Sequence, residues 1–194
     1  MVWLIGYKGM LGSEIAKQLT ENKIDWIGSD KDVDITNPAE LSKFAHNHGT
    51  AAGRTGISVA RGTVPEKITW VINCAAYTAV DKAEEDSELA EKLNAEGPKN
   101  IARITRELGA KLIHISTDYV FDGTGNFPYT EDMLKCPDSV YGRTKAAGED
   151  FVEKEMTQYY ILRTAWLYGF DGKNFVYTMT KAMNSKDEVS VVCD

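Results

Sequence analysis

Short apolar runs alternating with helix-patterned segments constrain this chain more than any other feature. The runs are Val2–Ile5, Trp26–Ser29, Val71–Cys74, Lys111–Ser116, Tyr160–Arg163 and Val189–Val192. Their near-continuous apolar character fits strands buried on both faces. With helices between them, the order argues for a parallel sheet covered on each side. Leu11, Ile15 and Leu19 mark one face of a helix after the first run. Glu88–Leu108 reads as a helix interrupted or bent near Gly97-Pro98, because proline removes a backbone donor. A further helix is expected from about Ser139 to Glu155. A chain of 194 residues can remove about 70% of its unfolded surface from water, and a single domain over 1–194 is expected.

The first run leads into Gly6-Tyr7-Lys8-Gly9-Met10-Leu11-Gly12, where the first helix should open. Glycine lets backbone approach a pyrophosphate, and the helix amides and dipole stabilise its charge. The spacing is GxxGxxG rather than the commoner GxGxxG, but it occupies the required strand–turn–helix position. The fold class expected is therefore α/β, a doubly wound parallel sheet of the Rossmann type, binding NADH or NADPH. Asp30 ends the second run, 18 residues beyond Gly12, where an acid accepts from ribose hydroxyls or simply shapes a turn. An acid there repels a ribose 2′-phosphate and favours NADH; Lys31 offsets that. Asp34 and Ile35 offer a polar and an apolar contact to an adenine. Asn73-Cys74-Ala75-Ala76-Tyr77 ends the next strand in small residues that let a flat cofactor pass.

Tyr141 and Lys145 lie four residues apart, on one helix face. A free phenol has a pKa of about 10, and a fixed cation beside it should lower that value and make it a usable acid and base. Tyr177 and Lys181 repeat the spacing. Only the first pair follows an apolar run, Leu112–Ile115, that ends in hydroxyl residues, Ser116-Thr117-Asp118. A parallel strand would deliver those to its C-terminal edge, where ligands bind in open α/β sheets. Tyr177 and Lys181 are read as helix surface.

A net charge of −7 argues against nucleic-acid binding. No apolar run approaches the roughly 20 residues needed to span a bilayer. The first strand begins at Val2, so no signal peptide is expected. Cys74, Cys136 and Cys193 are odd in number and widely spaced, which fits a reducing, cytoplasmic setting. Cys74 reads as a small core residue, and His46, His48 and His114 show no metal-ligand pattern. Asn47–Lys67, rich in glycine, serine and threonine, reads as a surface loop insertion. The sharper alternative has its Arg54 or Arg61 reaching a cofactor phosphate.

Together these segments resemble the extended short-chain dehydrogenase/reductases, and among them the dTDP-4-dehydrorhamnose reductase family. The resemblance rests on Gly6–Gly12, Asp34–Thr36, Val71–Glu84, Ile115–Gly123, Tyr141–Lys145 and Arg163–Gly169. It implies that Tyr141 is the proton donor, that Lys145 holds the nicotinamide ribose, and that Thr117 hydrogen-bonds the substrate oxygen. Asp118 and Trp166 would contact the sugar; the bland alternative for Trp166 is a core residue. Gly9, Met10 and Leu11 would line the pyrophosphate, and Ala75, Ala76 and Tyr77 the rest of the cofactor. The substrate implied is a dTDP-sugar, with room for a homodimer. The resemblance also implies that most of a small C-terminal substrate lobe lies beyond what Asp194 closes. A related epimerase or dehydratase stays open as an alternative. So does a cofactor-binding regulatory subunit like the methionine adenosyltransferase β subunit.

Overall fold

The computed structural model describes residues 1–49 and 67–191. Five parallel strands form one sheet: β1 (Val2–Ile5), β2 (Trp26–Ser29), β3 (Trp70–Asn73), β4 (Lys111–Thr117) and β5 (Tyr159–Thr164), in the order β2-β1-β3-β4-β5. The chain builds outward from β1 to β2, then returns to the other side of β1 with β3. That reversal opens a crevice at the C-terminal ends of β1 and β3, the place where open α/β sheets bind ligands. All four β1 residues are buried. Helices α1 (Met10–Glu21), α2 (Pro38–Gly49), α3 (Ser87–Glu91), α4 (Gly97–Glu107), α5 (Val140–Glu155) and α6 (Phe175–Ser185) complete the frame.

Two apolar layers flank the sheet. One gathers Trp3, Ile5, Ile27, Val71 and Leu112 against Leu41 of α2, Ile101 of α4 and Val152 of α5. The other packs Val2 and Leu4 on Ala16 and Leu19 of α1. Gly12, Ala16 and Leu19 are the buried residues of α1, so its inward face turns slightly from the Leu11–Ile15–Leu19 stripe. A glycine and an alanine let the helix approach closely.

The interruption expected near Gly97-Pro98 takes a specific form. One wide turn, Lys92–Glu96, separates α3 from α4, and Pro98 sits at the start of α4. Proline there removes one donor from a helical ladder that runs on from α3, and the wide turn accommodates the loss. Helix α2 was not anticipated; it starts at Pro38, behind Asn37, whose side-chain oxygen accepts from the Ala39 amide. It takes up the first residues of the expected loop, while positions 50–66, with Arg54 and Arg61, lie outside the described residues.

Two strand expectations need correction. Tyr160 and Leu162 of β5 are exposed, so this edge strand alternates and has one open face. Val189–Val191 form no strand, and Val192 and Cys193 lie outside the described residues. Among the described residues nothing pairs with the outer side of β5, and a valine run becomes a strand only when a neighbouring ladder takes its amides and carbonyls. No described helix is long and apolar enough to cross a membrane.

Candidate active site

The glycine loop is locked by contacts that exclude any side chain. Gly6 has φ +78°, and a Cβ there would stand 2.8 Å from the Ala75 amide nitrogen. A Cβ on Gly12 would stand 2.1 Å from the Gly6 carbonyl oxygen. Gly9 is the N-cap of α1 and supplies no side-chain cap, so the first amides of that helix are left for an anion. The close pass of Gly6 over Ala75 joins the ends of β1 and β3 at the crevice. These features fit a dinucleotide pyrophosphate.

Asp30 braces this loop. Its carboxylate accepts from the backbone amides of Lys8 (3.1 Å) and Lys31 (2.8 Å). The turn role is therefore realised, and it ties β2 to the glycine loop; a carboxylate keeps further lone pairs for a ribose hydroxyl. Asp34 accepts from the amide and the hydroxyl of Thr36. The Ile35 side chain is buried in the core, and a Cβ on Gly97 of α4 would come within 2.6 Å of its Cδ1.

Thr117 ends β4 and caps the short turn Asp118–Val120. Its hydroxyl donates to Asp118 (3.0 Å) and accepts from the Tyr119 amide (3.2 Å). Tyr141 lies in the first turn of α5, which opens on Ser139, whose hydroxyl accepts from the Gly142 amide. Gly142 is essential to the approach, since a Cβ there would meet the Tyr119 carbonyl oxygen at 2.3 Å. The helix start thereby presses on the turn after β4 and brings Tyr141 to Thr117 and Asp118. The Tyr141 and Tyr119 rings meet edge to face at 5.7 Å.

Electrostatics revise one expectation. Burial pushes the Tyr141 phenol above its usual value, Asp118 and Tyr119 add to the rise, and the Thr117 hydroxyl opposes it. The Lys145 ammonium donates to the Ile115 carbonyl oxygen, 2.6 Å away, and the side chain is 2% exposed. Burial brings Lys145 down to about 8, while Glu149 and Cys74 hold it up. The Cys74 thiol is itself pushed up to about 12 by burial, against the pull of Lys145.

Asn94, in the wide turn before α4, was missed by sequence reasoning. Its side chain accepts from the Tyr77 amide (2.8 Å) and donates to the Tyr77 carbonyl (3.1 Å) and the Thr144 hydroxyl (3.2 Å). One buried amide thus fixes the strand end carrying Ala75, Ala76 and Tyr77 against the helix carrying Tyr141. Only the place of Asn94 beside Ala90 and Ala95 on the buried face of an otherwise charged helical stretch could have signalled it.

Trp166 is no core residue. It is 75% exposed, stands edge to face with Phe175 at 5.1 Å, and has φ +50°. A bulky side chain in that left-handed region carries strain of about 1–3 kcal/mol. Beyond it a cavity of about 450 Å³ is lined by Met10 and Leu11 of the glycine loop, Tyr168, Phe170 and Asn174. The second tyrosine–lysine pair lies on α6, with the Tyr177 hydroxyl donating to the Phe170 carbonyl, away from Thr117.

A parallel sheet with a glycine loop at its crevice, and a tyrosine and lysine on the helix beside it, defines an α/β protein with a Rossmann-type fold like that of the short-chain dehydrogenase/reductases. The chain belongs to the family described as RmlD substrate binding domain, whose model matches residues 1–194. It is 42% identical over 199 residues to a probable dTDP-4,6-dihydroxy-2-methyloxan-3-one 4-ketoreductase of Streptomyces antibioticus, covering 100% of this chain and 61% of that one. A dTDP-4-dehydrorhamnose reductase of Clostridium acetobutylicum superposes with a TM-score of 0.86 at 45% identity, over 98% of this chain and 62% of that one. One of Bacillus anthracis, solved in complex with NADP, gives 0.85 at 37% identity, over 98% and 62%. The chain thus spans about three-fifths of the length of these relatives.

Proposed function

We propose that this chain carries the cofactor site and the proton-transfer residues of a dTDP-4-dehydrorhamnose reductase. The reaction reduces the C4 keto group of dTDP-4-dehydro-L-rhamnose to give dTDP-L-rhamnose, a precursor of surface polysaccharide, in the cytoplasm. The observation that carries the reading is the convergence of Thr117, Asp118 and Tyr141 beside the crevice that the glycine loop opens.

NADH or NADPH would supply the hydride to C4. The amides of Met10, Leu11 and Gly12 hold the pyrophosphate, which Gly9 lines while its own amide donates to the Gly6 carbonyl, and Gly6, Ala75, Ala76 and Tyr77 line the rest of the cofactor's path. Asp30 and Asp34 serve the adenosine end. Lys145 holds the nicotinamide ribose. Tyr141 donates its proton to the keto oxygen as that oxygen gains negative charge. An alkoxide is a far stronger base than a phenolate, so the transfer runs downhill although burial raises the phenol. Thr117 hydrogen-bonds the same oxygen. Asp118 and Trp166 contact the sugar, and the exposure of Trp166 supports that role.

The test takes the full gene product, supplies dTDP-4-dehydrorhamnose and follows NADH and NADPH oxidation, with Tyr141→Phe alongside. Loss of a positioned general acid lowers turnover by about 10²–10⁴-fold, with cofactor affinity kept. Protein that binds cofactor but never oxidises it with this sugar would sink the reading. A strong NADPH preference would mean that Lys31 outweighs Asp30.

A further inference from the structure

Lys145 and Glu149 are the buried charged residues among those described, at 2% and 0% exposure. They lie one turn apart on α5, at the spacing that puts two side chains on the same helix face. They form no direct pair. The Lys145 ammonium donates to the Ile115 carbonyl, and Glu149 is gripped from the other side by Arg163 of β5. That grip is bidentate, with Nε to Oε1 at 3.0 Å and Nη2 to Oε2 at 2.8 Å. Lys135 approaches the same carboxylate at 3.4 Å and also pairs with Asp150 and Glu153.

We propose that Glu149 is a positioning residue for the reductase reaction, the fixed negative charge that keeps the buried Lys145 an ammonium at the nicotinamide ribose. The inference rests on the reductase reading for what the ammonium does, but not for how it stays charged. A lysine out of water sheds its proton unless a negative charge compensates. Near Lys145, β4 offers His114, which burial, and then the charge of Lys145, hold well below the usual imidazole range and so neutral. The end of β3 offers Cys74, a thiol rather than a thiolate at neutral pH. On α5 itself Tyr141 stays a neutral phenol. Glu149 is the ionised group in this set. Burial raises its carboxyl, but the Arg163 hydrogen bonds and the charges of Arg163 and Lys135 outweigh that and leave it below the usual carboxylate range. Arg163 thus secures the charge of Glu149, and Glu149 secures that of Lys145.

The experiment titrates the Lys145 side-chain nitrogen by ¹⁵N NMR, in the wild type, Glu149→Gln and Glu149→Asp. The wild type should titrate near 8. Glu149→Gln should move the midpoint down by about one pH unit, and Glu149→Asp, which keeps the charge, should restore most of it. Where Glu149→Gln fails to fold, Glu149→Gln combined with Arg163→Met removes the stranded guanidinium, and its midpoint is compared with that of Arg163→Met alone, so that the difference reports Glu149. In the full gene product, the alkaline limb of turnover against pH should move down by the same amount, with the Michaelis constant for the sugar little changed. An unmoved midpoint in a folded Glu149→Gln variant overturns the proposal and leaves Glu149 a partner for Arg163 alone. A midpoint that moves while the alkaline limb stays also overturns it. A midpoint that moves in a protein unable to reduce the sugar defeats the reductase reading and leaves the charge coupling standing.

Discussion

His114 shows how far its surroundings set a side chain's chemistry. Its ring is fully buried on β4, and its Nδ1 accepts from the Asn73 amide at 3.1 Å. The ring proton therefore sits on Nε2, which finds no partner. Burial, and then the charge of Lys145, hold its pKa well below the usual value. In the unfolded chain the same imidazole titrates at about 6.5. Below that pH the unfolded state takes a proton that the folded state refuses, so stability falls with acid by up to about 1.4 kcal/mol per pH unit. Urea unfolding at successive pH values from 7 to 5 should show this loss, and His114→Gln should flatten it. Equal slopes in the two proteins would mean that the imidazole is already charged in the fold. At this scale the sequence revealed residue types better than environments. Tyr141 and Thr117 stood out by spacing and by their place after an apolar run. That Ile35 would be buried, or that burial would raise the Tyr141 phenol, depends on neighbours far along the chain.

Among the elements, the seam between α5 and the wide turn Lys92–Glu96 holds the site in register. Gly148 makes the contact possible, because a Cβ there would lie 2.1 Å from the Asn94 carbonyl oxygen. Gly148→Ala must push the turn away and strain the hydrogen bonds of Asn94 to Tyr77 and Thr144. Overpacking of this kind costs about 1–3 kcal/mol, and thermal unfolding should register it as a drop of several degrees. Cofactor affinity should weaken as well, since the Tyr77 strand end moves with the turn; a fall in melting temperature without that weakening would separate the seam from the site. Strands β1, β2 and β4 were legible as apolar runs, and so was the bend before α4. Helix α2 was not, because its apolar residues are sparse and its start depends on Asn37 and Pro38. The Val189 run misled for the opposite reason: its composition suits a strand that finds no ladder.

The whole molecule is tied together at its open edge by charge. Among the described residues strand β5 pairs on one side only, and Arg163 anchors it to α5 through Glu149. Arg163→Met would leave Glu149 buried without its main partner, a change that costs about 3–5 kcal/mol for ion pairs of this kind. The expected outcome is a large fall in the denaturation midpoint, relieved when Glu149→Met is added. A single variant as stable as the wild type would show that Lys135 suffices. The local features were all in the sequence. Strand runs, a glycine loop and the Tyr141–Lys145 spacing depend on backbone geometry and side-chain periodicity, which act over a few residues. Only the tertiary structure decided that Gly6 would pass over Ala75, that Asn94 would join Tyr77 to Thr144, and that Glu149 would stand between Arg163 and Lys145. Those contacts join residues tens of positions apart. Their energies come from burial and exclusion of water, which exist only once the sheet and its helices have closed on each other.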